Sequence, residues 1–598
     1  MLNDNILSGQ DSQSESLRQV KRLLVSTDYG RLNLDREFAW LFATGISLNN
    51  SCSGHIVSLV DEGCRDKLFH TRAIHRSIDI PQIKQWIRAC GFHPECSDSI
   101  DNLGRPSRLL NIQTGNIEAA RPDCSYAALS FRQGSAYDFY FDRQRSLQFE
   151  NDGGLHSTNF EIPRTIRDAI AVASDLGFIY LWINTLCIPS PELGEQYALE
   201  DEEQRGIMPD IYRGSDVTIV ATGKDAQVGL YGVGCTRRSA QVQECHNGRT
   251  LAIEVPSFED TMNSCPWNRR RWTFQEAHQS RRLLIFAKEQ VFFRCQTNIW
   301  TEAVHWEVPG DACVRDIKHR PVVPCWLSLE SPGDSNIWDL FWNYTEAVSD
   351  YSRRKSARES ANVYAFRSYV SIVGDLFHGL PTSTFAFTFA LAFEVFAGQR
   401  AAPERAGVPS WSFLAWKNIG GNIYEGTQFM EASKYLCFWR FEDCEISISN
   451  QERHLIPVDP HNPVKCPVNN MNLPALTDGE MKLAIVAFRV PKFKLHVVKW
   501  TENEHPGTAR LLIPSNRPSK NRSEHGFSAT LDPKYRKYSR IVINGFVIFD
   551  QYESFFLLLA QTDCRGVSKR IGTCDIGFKE WDEYDLTSHL DFETLVLV

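Results

Sequence analysis

The clearest alternation of hydrophobic and polar positions runs from residue 162 to residue 188. Apolar side chains recur at helical spacing, at Ile162, Ile166, Ala169, Ile170 and Ala173. Gly177 is placed to end this helix, since glycine readily adopts the left-handed conformation found there. The short apolar run at 178–188, FIYLWINTLCI, then predicts a buried strand. Its polar members Asn184 and Thr185 lie toward the carboxyl end, where ligands usually bind in open α/β sheets.

Further apolar runs of strand length flank this segment. They are Tyr126–Phe131, Val217–Ala221, Leu251–Val255, Leu283–Ala287 and Val291–Cys295. Helical spacing also appears from Ile207 to Tyr212, where Pro209 is expected to kink or shorten the helix. This alternation of strands and helices predicts an α/β domain with a mostly parallel sheet and flanking helices.

The chain before this domain differs from it in composition. Residues 1–18 are polar and are predicted to form a disordered tail. Residues 19–122 mix short apolar runs with turns and are predicted to be a lead-in region. The α/β domain itself is placed at residues 123–310, and the prolines at 311–335 indicate a boundary after it.

Two regions follow the boundary. Residues 336–430 are predicted to be helical, with helices at 337–348, 361–377 and 385–396. Residues 431–598 are predicted to be β-rich. The strands expected there are Leu483–Val490, Ile541–Ile548 and Phe555–Ala560.

Length and charge narrow the class of protein. A chain of 598 residues needs more than one core, and a net charge of −9 argues against a general nucleic-acid binder. No membrane span is expected, because the apolar run 385–396 is short and contains Glu394. The polar N-terminus and the 17 cysteines without CxxC spacing predict a cytoplasmic protein in a reducing environment.

The sequence predicts no resident metal or cofactor. Cys52 and Cys64, or Cys90 and Cys96 with His93, are too loosely spaced for a recognisable zinc finger. Glycine motifs of the P-loop or dinucleotide-binding type are also missing from the sequence.

Four blocks resemble the fungal heterokaryon incompatibility (HET) domain family. They are YAALSFRQG at 126–134, the segment 162–188, IYRGSDVTIVATGKDAQVG within 208–229, and RRWTFQEAHQSRRL at 270–283. A later element, VPSWSFLAW at 408–416, is similar to one found further along many such proteins. The blocks occur in the family's order and spacing. Three positions depart from the family pattern, which usually has Asp at Asn184, Trp at Gln133 and Tyr at Phe131.

The resemblance implies a role in fungal self/non-self recognition and programmed cell death. It implies signalling through protein partners or self-association. A distant similarity of the family to TIR domains has been suggested, and some TIR domains cleave NAD through a catalytic glutamate. NAD is therefore a possible substrate, and an NAD glycohydrolase is the alternative function. A degenerate member without activity is a third option, because an asparagine cannot act as a base.

The candidate catalytic residue under this alternative is Glu276, since ribosyl transfer needs a carboxylate to stabilise an oxocarbenium-like centre. The candidate ligand-binding residues are Ser130, Asn184, Arg270, Trp272 and Gln275. Each also has a structural interpretation. Glu276 can pair with the cluster Arg269–Arg271 at a solvated surface, Asn184 can satisfy loop backbone groups, and Ser130 can cap a loop.

The remaining candidates are aromatic, cysteine, histidine and aspartate residues. Trp182 and Trp272 are expected to be core aromatics. Cys187 with His278 has the composition of a nucleophile and base, but a cysteine in an apolar run is usually a small buried hydrophobe. Asp168 lies about 145° from the apolar centre of its helix at a step of about 100° per residue, and we expect it to be mostly solvated.

Overall fold

A computed structural model describes most of the chain in two compact units. The first comprises residues 1–268 and 279–324, and the second comprises residues 269–278 and 325–598. The longer described segments are 71–93, 103–134, 162–234, 249–296, 298–304, 337–354, 408–416, 472–500, 508–512, 527–537, 541–551, 554–583 and 591–598, with shorter pieces between them. The predicted tail at 1–18 and the predicted boundary at 311–335 lie outside the described residues.

The described elements of the first unit form two sheets and their covering helices. The strands are β1 (Leu24–Ser26), β2 (Thr44–Leu48), β3 (Cys52–Leu59), β4 (Arg108–Asn111), β5 (Asn116–Ala119), β6 (Tyr126–Ser130), β7 (Tyr180–Ile183), β8 (Val217–Ala221), β9 (Gln243–His246), β10 (Arg249–Ile253), β11 (Leu283–Phe286), β12 (Val291–Arg294) and β13 (Ile299–Thr301). The helices are α1 (Ile80–Cys90), α2 (Arg164–Leu176), α3 (Asn184–Cys187), α4 (Glu195–Gly206), α5 (Met208–Gly214) and α6 (Phe258–Ser264).

The larger sheet has the strand order β13-β12-β11-β8-β6-β7-β4-β5. Strands β7, β6, β8 and β11 are parallel to their neighbours in this series. Both edges are antiparallel, because β4–β5 and β11–β12–β13 are joined by short connections, and a short connection reverses the chain direction. The prediction of an α/β fold is confirmed, but the sheet is mixed and not mostly parallel.

The end of the central helix was predicted correctly, but the end of the central strand was not. Helix α2 ends at Gly177, which has a φ of 98°, as predicted. The strand is shorter than the apolar run, because β7 ends at Ile183 and Asn184 begins the short helix α3. The polar residues therefore follow the strand directly.

Helices α4 and α5 correct the prediction for residues 195–214. Pro209 lies in the first turn of α5 and does not kink it, because proline has no N–H to lose at that position. The preceding helix α4 was not predicted. It is fastened to the start of β4 by Glu200, which accepts hydrogen bonds from Ser107 Oγ at 2.7 Å and Arg108 Nε at 3.0 Å.

One apolar core joins α2 to the larger sheet. Its members include Ile166, Ala169 and Val172 of the helix and Leu129, Leu181, Ile183, Val217 and Ile219 of the strands, all 0% exposed. Burying an aliphatic side chain of this size contributes about 1.5–3 kcal/mol. The central strands are thus held by their contacts on this face as well as by their ladders.

The second unit is β-rich in its C-terminal part, residues 431–598, as predicted. Its helices are α7 (Arg271–Gln279), α8 (Ile337–Arg353), α9 (Asp478–Leu483) and α10 (Phe578–Glu583). Its strands are β14 (Leu376–Phe377), β15 (Leu380–Pro381), β16 (Glu394–Val395), β17 (Ile419–Gly420), β18 (Phe438–Phe441), β19 (His454–Pro457), β20 (Cys466–Pro467), β21 (Ile485–Trp500), β22 (Thr508–Leu512), β23 (Phe527–Leu531), β24 (Val542–Gln551), β25 (Ser554–Thr562), β26 (Val567–Gly577) and β27 (Asp591–Leu597). The end of the helix predicted at 385–396 is the strand β16.

Six strands of this unit close into a ring in the order β21-β22-β23-β26-β25-β24, because β24 also pairs with β21. Arg570 of β26 is fully buried and ties the ring to the preceding region by donating to the carbonyls of Leu391 and Phe393, both at 2.7 Å. Burial lowers the pKa of Arg570 to about 9. Ser410, in the block VPSWSFLAW, donates its backbone N–H to Val598 O at 3.1 Å.

Among the described residues, none of the helices combines the length and the apolar character that crossing a bilayer requires.

Replacing Glu200 with glutamine is expected to lower the stability of the first unit by about 1 kcal/mol at pH 7, because it weakens charge-assisted hydrogen bonds. Burial raises the pKa of Glu200, but the hydrogen bonds from Arg108 and Ser107 outweigh it and leave the pKa below its usual 4.5. A lowered pKa gives stability that is present above pH 4.5 and lost as the pH falls through the folded value.

Thermal unfolding at a series of pH values measures this effect. The difference between the native protein and Glu200→Gln should close in acid. Glu203→Gln, an exposed position on the same helix, is the matched control and should change little. Equal losses in both variants at pH 7 would contradict the role given to Glu200.

Candidate functional site

The order of the parallel strands identifies one candidate crevice in the first unit. The chain runs from β6 to β7 on one side of β6, and then to β8 on the other side. In open α/β sheets, ligands bind beyond the carboxyl ends of the strands where the order reverses in this way. Ser130 ends β6, Thr222 follows β8, and Asn184 follows β7.

The hydroxyl groups at this edge are used in structural contacts. Ser130 is 1% exposed, and its Oγ accepts a hydrogen bond from Trp267 Nε1 at 2.7 Å. Thr222 Oγ1 donates to Phe286 O at 2.8 Å. The two side chains therefore fix the ends of neighbouring strands and loops.

The loops after β6 and β8 meet beyond this edge. Ala226 N donates to Gln133 O at 3.4 Å. Gly134 has a φ of 82°, and a Cβ there would lie 2.7 Å from Asp225 Cβ. Only glycine combines this conformation with so close an approach. Gln133, one of the departures from the family pattern, takes part in this contact through its backbone carbonyl.

Asp168 anchors the glycine-rich loop 225–234, and the prediction that it is solvated is wrong. It is 7% exposed, and its Oδ2 accepts hydrogen bonds from Leu230 N at 2.8 Å and Thr236 Oγ1 at 3.4 Å. A Cβ at Gly229 would collide with this carboxylate. Angular position on the helix could not reveal this role, because the loop covers the polar face of α2.

Burial raises the pKa of Asp168, and the hydrogen bonds from Leu230 and Thr236 oppose the shift without cancelling it. The folded protein therefore holds a proton on this carboxyl more tightly than the unfolded chain does. As the pH rises from the unfolded pKa of 3.8 through the raised folded value, this group costs stability.

Three polar side chains at and just after the end of β7 have a different character. Trp182 Nε1, Asn184 Oδ1 and Thr185 Oγ1 are buried and have no hydrogen-bond partner among the described residues. A buried polar atom without a partner costs about 1–3 kcal/mol. An indole N–H, an amide oxygen and a hydroxyl can each hydrogen-bond to a polar ligand, but none of them can act as a general base at neutral pH.

Cys187 is packed as a core residue, in agreement with its prediction. It is 1% exposed and lies among Trp182, Met208 and Tyr212. Burial raises the pKa of its thiol to about 12. A thiol with this pKa is not a nucleophile at neutral pH.

The other four predicted site residues lie in the second unit, on or next to α7. Gln275 and Glu276 are 3% and 5% exposed, so Glu276 does not lie on a solvated surface. Gln275 Oε1 has no hydrogen-bond partner in the described part of the chain. Trp272 is partly buried against the core of this unit, as expected of a core aromatic.

Helix α7 is held in the second unit by aromatic and cationic contacts. The ring of Phe274 packs edge-on against Tyr351, with centroids 5.2 Å apart. Arg271 Nε donates to Arg354 O at 3.0 Å, and Arg354 Nη1 donates to Arg270 O at 3.4 Å. Arg270 thus contributes its backbone carbonyl to this arrangement.

The six candidate residues are therefore divided between the two units. Ser130 and Asn184 belong to the first, and Arg270, Trp272, Gln275 and Glu276 belong to the second. Their joint use in one site stays a prediction. Sequence reasoning missed Trp267 and Thr236, which act through contacts with residues far away in the chain.

Replacing Asp168 with alanine is expected to destabilise the first unit by about 1–3 kcal/mol, because the buried N–H of Leu230 loses its acceptor. Asp168→Asn keeps an acceptor and should cost less. The deficit of the asparagine variant should shrink as the pH rises, since only the native carboxylate then carries the cost of burying a charge. Denaturation monitored by Trp fluorescence at pH 5 and pH 8 measures both effects, and a deficit for Asn that grows with pH would contradict the assignment.

Comparison with known proteins identifies the segment that contains β6, β7 and β8. Residues 126–276 match the family model described as "Heterokaryon incompatibility protein (HET)". Neither a curated protein nor a solved structure matches the chain. The match begins at the first residue of β6 and ends at Glu276. The chain therefore contains a segment, residues 126–276, that is similar to the heterokaryon incompatibility (HET) domain family.

Proposed function

We propose that this protein acts in fungal self/non-self recognition and triggers programmed cell death through its HET domain, by association with itself or with a protein partner. The family match supports the proposal. The charge of the chain agrees with it, because −9 is unfavourable for contact with nucleic acid.

The side chains at the carboxyl ends of the parallel strands carry this proposal. The residues that end or directly follow β6, β7 and β8 are Ser130, Asn184 and Thr222. None of the three is a carboxylate, and the serine and threonine hydroxyls are already hydrogen-bonded. An edge with these three side chains can bind a ligand, but none of the three can supply the base that hydrolysis needs. Recognition by association is the function that fits it.

NAD cleavage by a TIR-like site is the second candidate. The order β7-β6-β8-β11 is that of a doubly wound sheet, which suits a TIR-like domain. In the second unit, Gln275 Oε1 has no hydrogen-bond partner among the described residues and is available to accept a hydrogen bond from a ribose hydroxyl or an amide. In this candidate, Glu276 stabilises the oxocarbenium-like centre as glycosidase carboxylates do.

Expression of the full chain in a filamentous fungus under an inducible promoter tests the first candidate. Induction should arrest growth and kill hyphal compartments, while cellular NAD stays level until death begins. The protein should appear in assemblies larger than one chain by native gel. A chain that accumulates in folded form with no loss of viability and no assembly contradicts the proposal.

Purified full-length protein incubated with NAD tests the second candidate. Catalysis would be the primary function if the native protein released nicotinamide, Glu276→Gln did not, and the exposed control Glu259→Gln still did. We expect no release. Equal killing in cells by the native protein and Glu276→Gln would be the matching result in vivo.

A further inference from the structure

Three cysteines and one histidine converge in the first unit outside the family-matched segment. Cys90, His93, Cys96 and Cys295 are 0%, 2%, 0% and 0% exposed. Their sulfur atoms and one imidazole nitrogen all lie within 4.8 Å of one another. No disulfide bond joins these cysteines. This cluster is called the thiol cluster below.

Local structure explains how the first three side chains meet. Helix α1 ends at Cys90, and His93 N then donates to Cys90 O and Cys96 N to His93 O, both at 3.1 Å. Each of these hydrogen bonds joins residues three apart in the chain, and the three side chains lie close together. The spacing that appeared too loose for a zinc finger is thus a compact set of three ligands.

The fourth side chain arrives from the far end of the unit. Cys295 directly follows β12, and its N–H donates to Asn298 O at 2.9 Å in the turn that leads to β13. The sequence alone could not pair Cys295 with the other three, because only the fold of the sheet brings them together.

The distances in the thiol cluster suit a tetrahedral metal ion. His93 Nδ1 lies 3.4 Å from Cys295 Sγ and 3.8 Å from Cys96 Sγ. Zinc–sulfur bonds of about 2.3 Å and zinc–nitrogen bonds of about 2.0–2.1 Å place the ligand atoms of a tetrahedron roughly 3.5–3.8 Å apart. The widest separation, 4.8 Å, exceeds this range by an amount that side-chain rotation can close.

We propose that Cys90, His93, Cys96 and Cys295 form a structural zinc site. Three thiolates and one imidazole are a common ligand set for structural zinc. The protein supplies all four ligands, so no position is left for a substrate or a reactive water. The site therefore stabilises the fold and takes no part in chemistry.

Residues around the thiol cluster provide the contacts that metal ligands usually receive. Arg282 Nε donates to Cys90 Sγ at 3.1 Å, and its Nη2 donates to Cys96 O at 3.1 Å. Asn298 N donates to Cys295 Sγ at 3.3 Å. N–H donors to the sulfur atoms and hydrogen bonds to the unligated imidazole nitrogen orient ligands and adjust their basicity.

His93 binds the metal through Nδ1 in this proposal, because Nδ1 is the nitrogen that faces the sulfur atoms. The other nitrogen, Nε2, lies 3.3 Å from the side-chain amide of Asn298. A flipped amide places its oxygen there to accept the Nε2 proton. The ring also stacks on Trp300, with centroids 5.7 Å apart, which excludes water from one face.

Charge balance supports a metal over a set of neutral thiols. Zinc with three thiolates and a neutral imidazole carries one negative charge, and Arg282 contacts it directly. Arg294, which precedes Cys295, is fully buried, and its Nε and Nη2 have no hydrogen-bond partner among the described residues. A buried guanidinium without a counter-charge costs several kcal/mol. A nearby anionic metal complex would offset that cost.

The position of the site gives it a role that is independent of the proposed signalling function. Its ligands come from before residue 126 and after residue 276, on either side of the HET match. Zinc would therefore tie the lead-in helix α1 to the end of β12, the neighbour of the edge strand β13. Metal binding to such a site is coupled to folding.

Metal analysis of the full chain is the direct test. Protein purified without chelators from cells grown with added zinc should contain about one zinc per chain by plasma mass spectrometry. Exchange with cobalt should give the visible absorption of a tetrahedral thiolate complex. Less than a tenth of an equivalent of zinc after refolding with excess zinc would overturn the proposal, and so would the absorption of an iron–sulfur centre.

The zinc content of two variants, Cys295→Ser and its control Cys265→Ser, distinguishes zinc bound at this site from zinc bound elsewhere on the protein. Both cysteines are buried in the first unit, but Cys265 is not in the thiol cluster. Cys295→Ser should lose at least nine-tenths of the zinc, and the control should keep it. Full zinc content in Cys295→Ser would overturn the assignment. If that variant does not fold, the cobalt spectrum of the native protein tests the assignment instead. A spectrum without sulfur ligation would overturn the assignment.

Discussion

The pairing of β6 with β7 on one side and β8 on the other is the interaction on which the rest of the first unit depends. All five residues of β6 are buried, and Ala128 lies opposite Trp182 and Thr218 in the two ladders. This register places Ser130, Asn184 and Thr222 along one edge. It also fixes the position of the glycine-rich loop, because that loop follows β8 and must reach Asp168 on α2.

Sequence patterns predicted the parts of this fold that depend on local order. Helix α2, its end at Gly177, and the strands on either side follow from periodicity and from the conformational freedom of glycine. The same reasoning misjudged Asp168 and the edges of the sheet. Both depend on segments that are distant in the chain, and the periodicity of one helix does not say which loop covers its polar face.

The candidate site shows the same division. The sequence located Asn184 at the end of a strand, and the structure adds that its Oδ1 lacks a described partner. It also located the Trp272–Glu276 block, but it gave no sign that these residues belong to the core of the second unit. The sequence argued against zinc at Cys90, His93 and Cys96 because of their spacing, and it could not add Cys295, which lies far from them in the chain. Metal ligands from distant segments have no short motif.

Helix α7 has a consequence for how such a protein can evolve. The chain leaves the first unit after Asn268 and returns to it at Gln279. Residues 269–276 are therefore part of the HET match and, at the same time, part of the second unit. Recombination that exchanged only the matched segment would replace Phe274 in a core built with Tyr351 and Phe366. The two units are thus constrained to be inherited together. A change in the core of the second unit selects for compensating changes in residues 269–276, which lie within the HET match.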